Sequence, residues 1–352
     1  MLTIGVDAHK KLHVAVAVDE AGRIVGQWRG DNCPEGWDAV TTWARELGAA
    51  RRWGIEGAGS YGQGLARHLV ALGEVVYEVN SRLTAHGRRG ARQPGKSDAL
   101  DAAAIARAVL REGDALPRIQ PADEAAILDL LVTEREAAQA EATRLRNQVH
   151  ALLHQLDPHY RRQIPSLITA AGLAALEQYQ ATSRHPLDQA RAAVVRRLGQ
   201  RLRLAVEQAA ELARQIEERA EARFSPLMGV YGVKGLTAGA LAGILGQRRF
   251  ASEAQLAAYA GVAPLEASSA GATRHRLNRG GNRRLNAILY RIALTQARSS
   301  PDGRPYVQRR MAEGKTWREA IRALKRYLVR AIWRRWQECR PPQVAPSATV
   351  AA

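Results

Sequence analysis

The 352-residue sequence is poor in the residues that staple, anchor or sense. It has two cysteines, Cys33 and Cys339, in unrelated contexts, which excludes a disulfide framework and a cysteine metal site. No histidines pair at metal-ligand spacing, so zinc is not indicated. No run approaches the ~18 apolar residues of a transmembrane helix. The opening "MLTIGVDAHKKLHVAV" lacks the layout of a secretory signal and reads as a strand. These absences together predict a cytoplasmic protein with no membrane partner. Acid is also scarce: 34 Asp+Glu face 52 Lys+Arg, for a net charge of +18. Residues 271–340 alone hold 19 Lys+Arg and four acids. Such a concentration points to a polyanion partner, most often nucleic acid.

What is present divides into textures. Residues 1–80 alternate strand and helix signals. "LTIGVD", "HVAVAV" and "RIVGQWRG" read as three strands and 35–48 as a helix. "RRWGIEG" is a fourth strand, "YGQGLARHLVALG" a glycine-ended helix and "VVYEVN" a fifth strand. That order predicts an α/β domain over 1–115. Residues 121–222 turn long, charged and helical, suggesting a hairpin or coiled-coil arm. Residues 226–340 are again mostly helical but punctuated by glycine, and 341–352 read as a disordered tail. In the last helix Trp317, Ile321, Leu324 and Leu328 form an apolar stripe, with Arg318, Arg322, Lys325 and Arg326 on the other side.

The candidate chemistry lies with four carboxylates. Asp7 ends the first strand and Glu56 the fourth, and strand ends are where α/β sheets place their sites. In "GKSDALDAAAIARAV", Asp98 and Asp101 stand three residues apart, on one face of a helix. One reading is capping, with Ser97 or Asp98 as the N-cap and Asp101 favouring the positive helix end. The other is a site: four carboxylates converging from three elements repel one another unless hard cations, Mg²⁺ above all, compensate them. Two such ions can stabilise the attacking and leaving oxygens of a phosphoryl transfer.

"GVDAHK", "IEGAGSYG" and "KSDALDA" resemble the three acidic motifs of the DEDD transposases of bacterial insertion sequences, and the resemblance runs in order from about residue 3 to 335. It implies an RNase H-like (RuvC-like) N-terminal domain, a coiled coil and a helical C-terminal transposase domain. It also implies that Asp7, Glu56, Asp98 and Asp101 form a tetrad holding Mg²⁺, two ions in all. "LMGVYGVKGLTAGALAGILG" is similar to a helix–hairpin–helix, with Lys234 where the family more often has a second glycine. The resemblance implies a nucleophilic serine five residues after the proline of an "AG-x-x-P" segment, which from Pro264 is Ser269, with Ser268 as the alternative register. Arg274, Arg276, Arg279, Arg283 and Arg284 could neutralise a phosphate near it, and "GGNRRLN" matches the family's following basic motif. Gly57-Ala58 and Ser269-Ala270-Gly271 depart from the family pattern. His9 reads as a surface or supporting residue, and His275 as a candidate proton carrier near Ser269.

The resemblance implies strand exchange between donor and target DNA, guided by a bridge RNA, in a homodimer or homotetramer whose composite site draws on different protomers. Lys234, Arg322 and Arg326 join the arginines above as nucleic-acid contacts. Two other readings fit parts of the sequence: a metal-dependent endonuclease resembling a Holliday-junction resolvase, which needs no serine, and a non-catalytic DNA-binding protein.

Overall fold

The computed structural model describes residues 1–81, 83–84, 97–266, 275–276, 278 and 280–339. Strands β1 (Leu2–Ala8), β2 (Leu12–Val18) and β3 (Ile24–Asp31) form an antiparallel meander. Helix α1 (Pro34–Leu47), strand β4 (Arg51–Glu56), helix α2 (Gln63–Ala71) and strand β5 (Val76–Val79) follow. β4 lies parallel to β1, and β5 parallel to β4. Two-residue strands β6 (Arg118–Ile119) and β7 (Arg248–Arg249) complete a seven-stranded mixed sheet, in the order β3-β2-β1-β4-β5-β6-β7. β7 comes from the C-terminal half, which the sequence reading did not join to the sheet. The first five strands fall where the alternation of apolar residues predicted them, and the arrangement is consistent with an RNase H-like domain.

Both faces of the sheet are covered, which explains why its central strands are nearly continuous in apolar residues. Ile4, Val6, Ala15, Ala17 and Ile55 pack with Val40 and Ala44 of α1 and Leu65 and Leu69 of α2. On the opposite face, Val14, Val16 and Val18 meet Ala102, Ala103 and Ala106 of helix α3 (Asp98–Glu112). The alanines of α3 are the reason it lies so close. At Gly5 an added Cβ would stand 2.1 Å from the Ala102 carbonyl oxygen and 2.3 Å from the Ala106 nitrogen. No side chain fits between β1 and α3.

The chain divides into two compact units, one of residues 1–126, 225–233 and 244–352, the other of residues 127–224 and 234–243. The second unit is helical. It contains most of α4 (Glu124–Leu156), the short α5 (Ala170–Glu177), α6 (Pro186–Phe224) and the first part of α7 (Gly235–Gly246). Leu145, Val149 and Leu153 of α4 pack on Val195, Leu198 and Leu202 of α6, with Leu173 and Leu176 of α5 closing the cluster. The pairing of Glu141 with Arg201 at 3.4 Å links the two long helices, and Arg203 holds Glu177 through two hydrogen bonds.

The C-terminal helices of the first unit are α8 (Glu253–Tyr259), α9 (Arg283–Ser299), α10 (Gly303–Ala312) and α11 (Trp317–Glu338). Thr316 and Glu319 form a reciprocal capping box at the start of α11. Two assignments on this helix need correction. Trp317 is 41% exposed, being at the first helical position, where a side chain overhangs the end of the packed face. Lys325 is 7% exposed, because it lies four residues from Ile321 and three from Leu328, on the same face as both.

Candidate active site

The C-terminal end of the central parallel pair sets the site. In the β1–β4 register Asp7 lies directly beside Glu56, and neighbouring strands are about 4.8 Å apart. The close approach at Gly5 fixes α3 against β1 at Ala102 and Ala106, so the first turn of α3 reaches the level of Asp7. That turn carries Asp98 and Asp101.

The capping reading of the Ser-Asp-x-x-Asp segment describes its start, with Ser97 rather than Asp98 as the cap. Ser97 is the N-cap and its hydroxyl accepts a hydrogen bond from the Leu100 nitrogen. The carboxylates are thereby free of capping duty, while the helix macrodipole favours negative charge where they stand. Asp98 is half-exposed and Asp101 is buried. Burial raises the Asp7 pKa, the His9 side chain opposes that, and the nearby Asp101 and Asp98 carboxylates raise it further. Three carboxylates, those of Asp7, Asp98 and Asp101, thus act on one another here, and their donors are hard oxygens.

His9 is closer to this chemistry than the sequence suggested. Its Nε2 lies 3.2 Å from Asp7 Oδ2 and 3.5 Å from Asp98 Oδ1. One ligand atom from each of Asp7, His9 and Asp98 falls within 4.8 Å of the others, as metal binding requires. Asn32 steadies the turn that carries His9: its Nδ2 is 3.3 Å from the His9 carbonyl, 3.4 Å from that of Lys10 and 3.1 Å from that of Tyr61. Trp37 Nε1 donates to Asn32 Oδ1 at 3.0 Å, fixing the amide. His13 is buried beneath this turn, and desolvation lowers its pKa.

Thr84 is a contact that sequence reasoning missed. Its buried hydroxyl lies 3.1 Å from Glu56 Oε2 and 2.8 Å from the Ser81 carbonyl. With one proton it donates to one acceptor at a time. No periodicity connects Thr84 to Glu56; only the turn after β5 brings them together. Asn32 likewise carried no sequence signal.

The C-terminal candidates fall only partly among the described residues. Ser268, Ser269, Arg274 and Arg279 lie outside the described residues, as do the side chains of His275 and Arg276. The backbone of His275–Arg276 forms β9, paired antiparallel with β8 (Leu265–Glu266). Lys234, Arg283, Arg322 and Arg326 are exposed, and Arg284 is half-buried. Asn282 caps α9, accepting from the Leu285 nitrogen at 2.9 Å and donating to the Tyr259 hydroxyl at 3.0 Å. Gly232 sits in a turn at φ +85°. The turn is held by Gln296, which donates to the Tyr231 carbonyl, and by the Tyr231 hydroxyl, which donates to the Ser299 carbonyl. Among the described residues no helix is long and apolar enough to cross a membrane.

A transposase model of the DEDD type matches residues 4–158, and the model "Transposase IS116/IS110/IS902 family" matches residues 225–308. The chain is 30% identical to the insertion element IS110 43.6 kDa protein of Streptomyces coelicolor, over 68% of this chain and 70% of that one. It is 28% identical to the insertion element IS900 42 kDa protein of Mycobacterium paratuberculosis, over 94% of both chains. A probable family 20 transposase of Pseudomonas aeruginosa is 30% identical over 59% of this chain and 60% of its own. The chain belongs to the IS110/IS116 family of insertion-element transposases.

Proposed function

We propose that this transposase cuts and rejoins DNA with two sets of groups: the carboxylates Asp7, Glu56, Asp98 and Asp101, and the hydroxyl of Ser269. The observation that carries the first set is Asp7 itself. It stands beside Glu56 in register, its pKa is raised by burial, and Asp101 and Asp98 raise it further. Carboxylates gathered in this way would be compensated by a divalent cation, and the donors suit Mg²⁺. Asp7 and Asp98 would hold the ion, with Glu56 and Asp101 completing the set. Bound Mg²⁺ supplies charge neutralisation at the oxygens of the reacting phosphate.

In this reading the protein's own groups do the following. Glu56 is oriented by the Thr84 hydroxyl, and Asp98 by the capped first turn of α3. The exposed Arg283, Arg322 and Arg326, with Arg274, Arg276, Arg279, Arg284 and Lys234, hold the DNA backbone through charge-assisted hydrogen bonds. Ser269 Oγ forms a bond to phosphorus while one phosphodiester O–P bond breaks. The serine proton leaves to solvent or a neighbouring base, and the departing strand keeps its oxygen. A second strand's hydroxyl then attacks the phosphoserine, which restores the phosphodiester and the free serine, so no external energy is needed. The division of labour would run between a RuvC-like domain over 1–115 and a transposase domain over 226–340. The helices of 121–222 would serve as a coiled-coil assembly arm for a dimer or tetramer, and a bridge RNA would select the DNA.

The test uses the full chain expressed with its native flanking DNA. RNA that survives nuclease treatment is sequenced, and labelled DNA is incubated with the complex and Mg²⁺ before denaturing electrophoresis. A discrete flanking RNA and a covalent protein–DNA band support the reading. The band should vanish in Ser269→Ala, persist in Ser268→Ala and vanish in Asp7→Asn. Cleavage that survives Ser269→Ala would instead favour a resolvase-like endonuclease.

A further inference from the structure

The C-terminal helices enclose a second feature that the carboxylate site does not use. Among the described residues, seven basic side chains and one acid, Glu319, line a cavity of 790 Å³. Its volume is within the range of about 300–1,000 Å³ typical of small-ligand pockets. Glu319 is already committed to the capping box with Thr316. The cavity wall also includes Pro264 and Asn278, which flank the segment bearing Ser269.

Two observations say what the cavity takes. The first is Lys325, 7% exposed, whose Nζ donates to Asn286 Oδ1 at 2.9 Å. Asn286 is neutral and is itself held by donating to the Ala260 carbonyl at 2.7 Å. An ammonium has three donors, and among the described residues no carboxylate pairs with this one. Burial lowers the Lys325 pKa, and Arg322 lowers it further. The Lys325 Nζ also lies over the Tyr290 ring, 5.9 Å from the centroid, a contact that supplies no counter-charge; a buried cation without one is costly, and an anion entering the cavity would offset that cost. The second observation is aromatic. Tyr306 and Tyr327 stand edge to face at 5.2 Å on the lining, with Arg309 over one ring and Arg330 over the other. Tyr327 is 54% exposed, so its ring is open to a partner.

We propose that this cavity holds one unpaired nucleotide, its phosphate directed to Lys325 and Arg326 and its base stacked on Tyr327. A paired duplex presents its phosphates on a convex surface and hides its base faces. It would meet the exposed Arg322 and Arg326 but neither the recessed Lys325 nor an aromatic face. Stacking on an aromatic side chain needs no base-specific hydrogen bond, so the pocket would accept any base. The inference rests on the reading above for its nucleic-acid substrate. It deepens that reading by specifying an unstacked nucleotide as a ligand of the C-terminal helices.

The test is binding in EDTA, which needs neither metal nor cleavage. Fluorescence anisotropy would compare oligo(dT), oligo(rU) and a fully paired DNA duplex of the same length, at one fixed salt concentration. Tyr327→Ala is expected to weaken single-strand binding about tenfold, within the range of base–aromatic stacking, and to leave duplex binding within about twofold. Lys325→Met should do the same, and Arg318→Ala, exposed on the same helix outside the cavity, should weaken all three probes alike. The tighter of the two single strands identifies the nucleotide's source. Equal losses for single strand and duplex in Tyr327→Ala, or no loss, would overturn the proposal. Should Lys325→Met fail to fold, the exposed Tyr327 decides alone. Failure here would leave the covalent-band assay intact, and failure of that assay would leave this one intact.

Discussion

Asp7→Asn should stabilise the metal-free protein while abolishing its cleavage, a pairing that an ordinary structural aspartate would not give. The ligand atoms of Asp7 and Asp98 are at most 4.8 Å apart. Two unit charges at that separation repel by ~3.5 kcal/mol at an effective dielectric of about 20 and by ~0.9 kcal/mol in water. The Asp7 side chain is 16% exposed but that of Asp98 is 46%, so solvent screening places the relief at about 1–2 kcal/mol. The sign follows from the raised pKa of Asp7. Below the ordinary aspartate range the group is neutral in both states and the penalty is absent. As pH rises through the raised native value the charge forms at a cost, and stability falls. The comparison is made at pH 8, well above the ordinary aspartate range. Differential scanning fluorimetry in EDTA at that pH should show Asp7→Asn melting about 2–8 °C above wild type, taking about 2–4 °C per kcal/mol for a unit of this size. Added Mg²⁺ should reverse the order, because an ion at a hundred times its Kd stabilises the wild type by ~2.7 kcal/mol. An unchanged or lower melting temperature in EDTA, with the Mg²⁺ response retained, would refute both the charge argument and the assignment of Asp7.

Other perturbations probe the scaffold. Gly5→Ala pushes a methyl into the α3 backbone at 2.1 Å; it should destabilise the protein by about 3 kcal/mol or more and remove Mg²⁺-dependent stabilisation, measurable by thermal melting. Thr84→Val keeps the shape but loses the hydroxyl beside Glu56; cleavage should slow about tenfold, the scale of a hydrogen bond to a charged group, with far-ultraviolet circular dichroism unchanged. Asn32→Ala removes the amide that holds the His9 turn; it should cost about 1–2 kcal/mol and raise amide hydrogen exchange at residues 9–11. Ser97→Ala, losing the cap on α3, should lower stability by about 1 kcal/mol and weaken the Mg²⁺-induced shift.

Much of this protein was determined by local pattern. The alternation in "HVAVAV" and the apolar run of "LTIGVD" define β2 and β1, because a strand covered on both faces must be apolar at nearly every position. Asp7 and Glu56 were legible because each interrupts such a run at a strand end. The i, i+3 spacing of Asp98 and Asp101 was legible because helix geometry puts both on one face. Other features have no local signature. Thr84 meets Glu56 across 28 residues, and Asn32 reaches back 23 residues to the His9 carbonyl. β7 joins the sheet from more than a hundred residues beyond β6, with Arg249 opposite Arg118 and Arg248 opposite Ile119 in register. Lys325 has the composition of a surface helix and the position of a core one. A charge and a periodicity can be read from a chain one element at a time. Which carboxylates share a volume, and which lysine is buried against which amide, depends on the close contact of β1 with α3 and of α9 with α11. Those contacts exist only once the elements have packed.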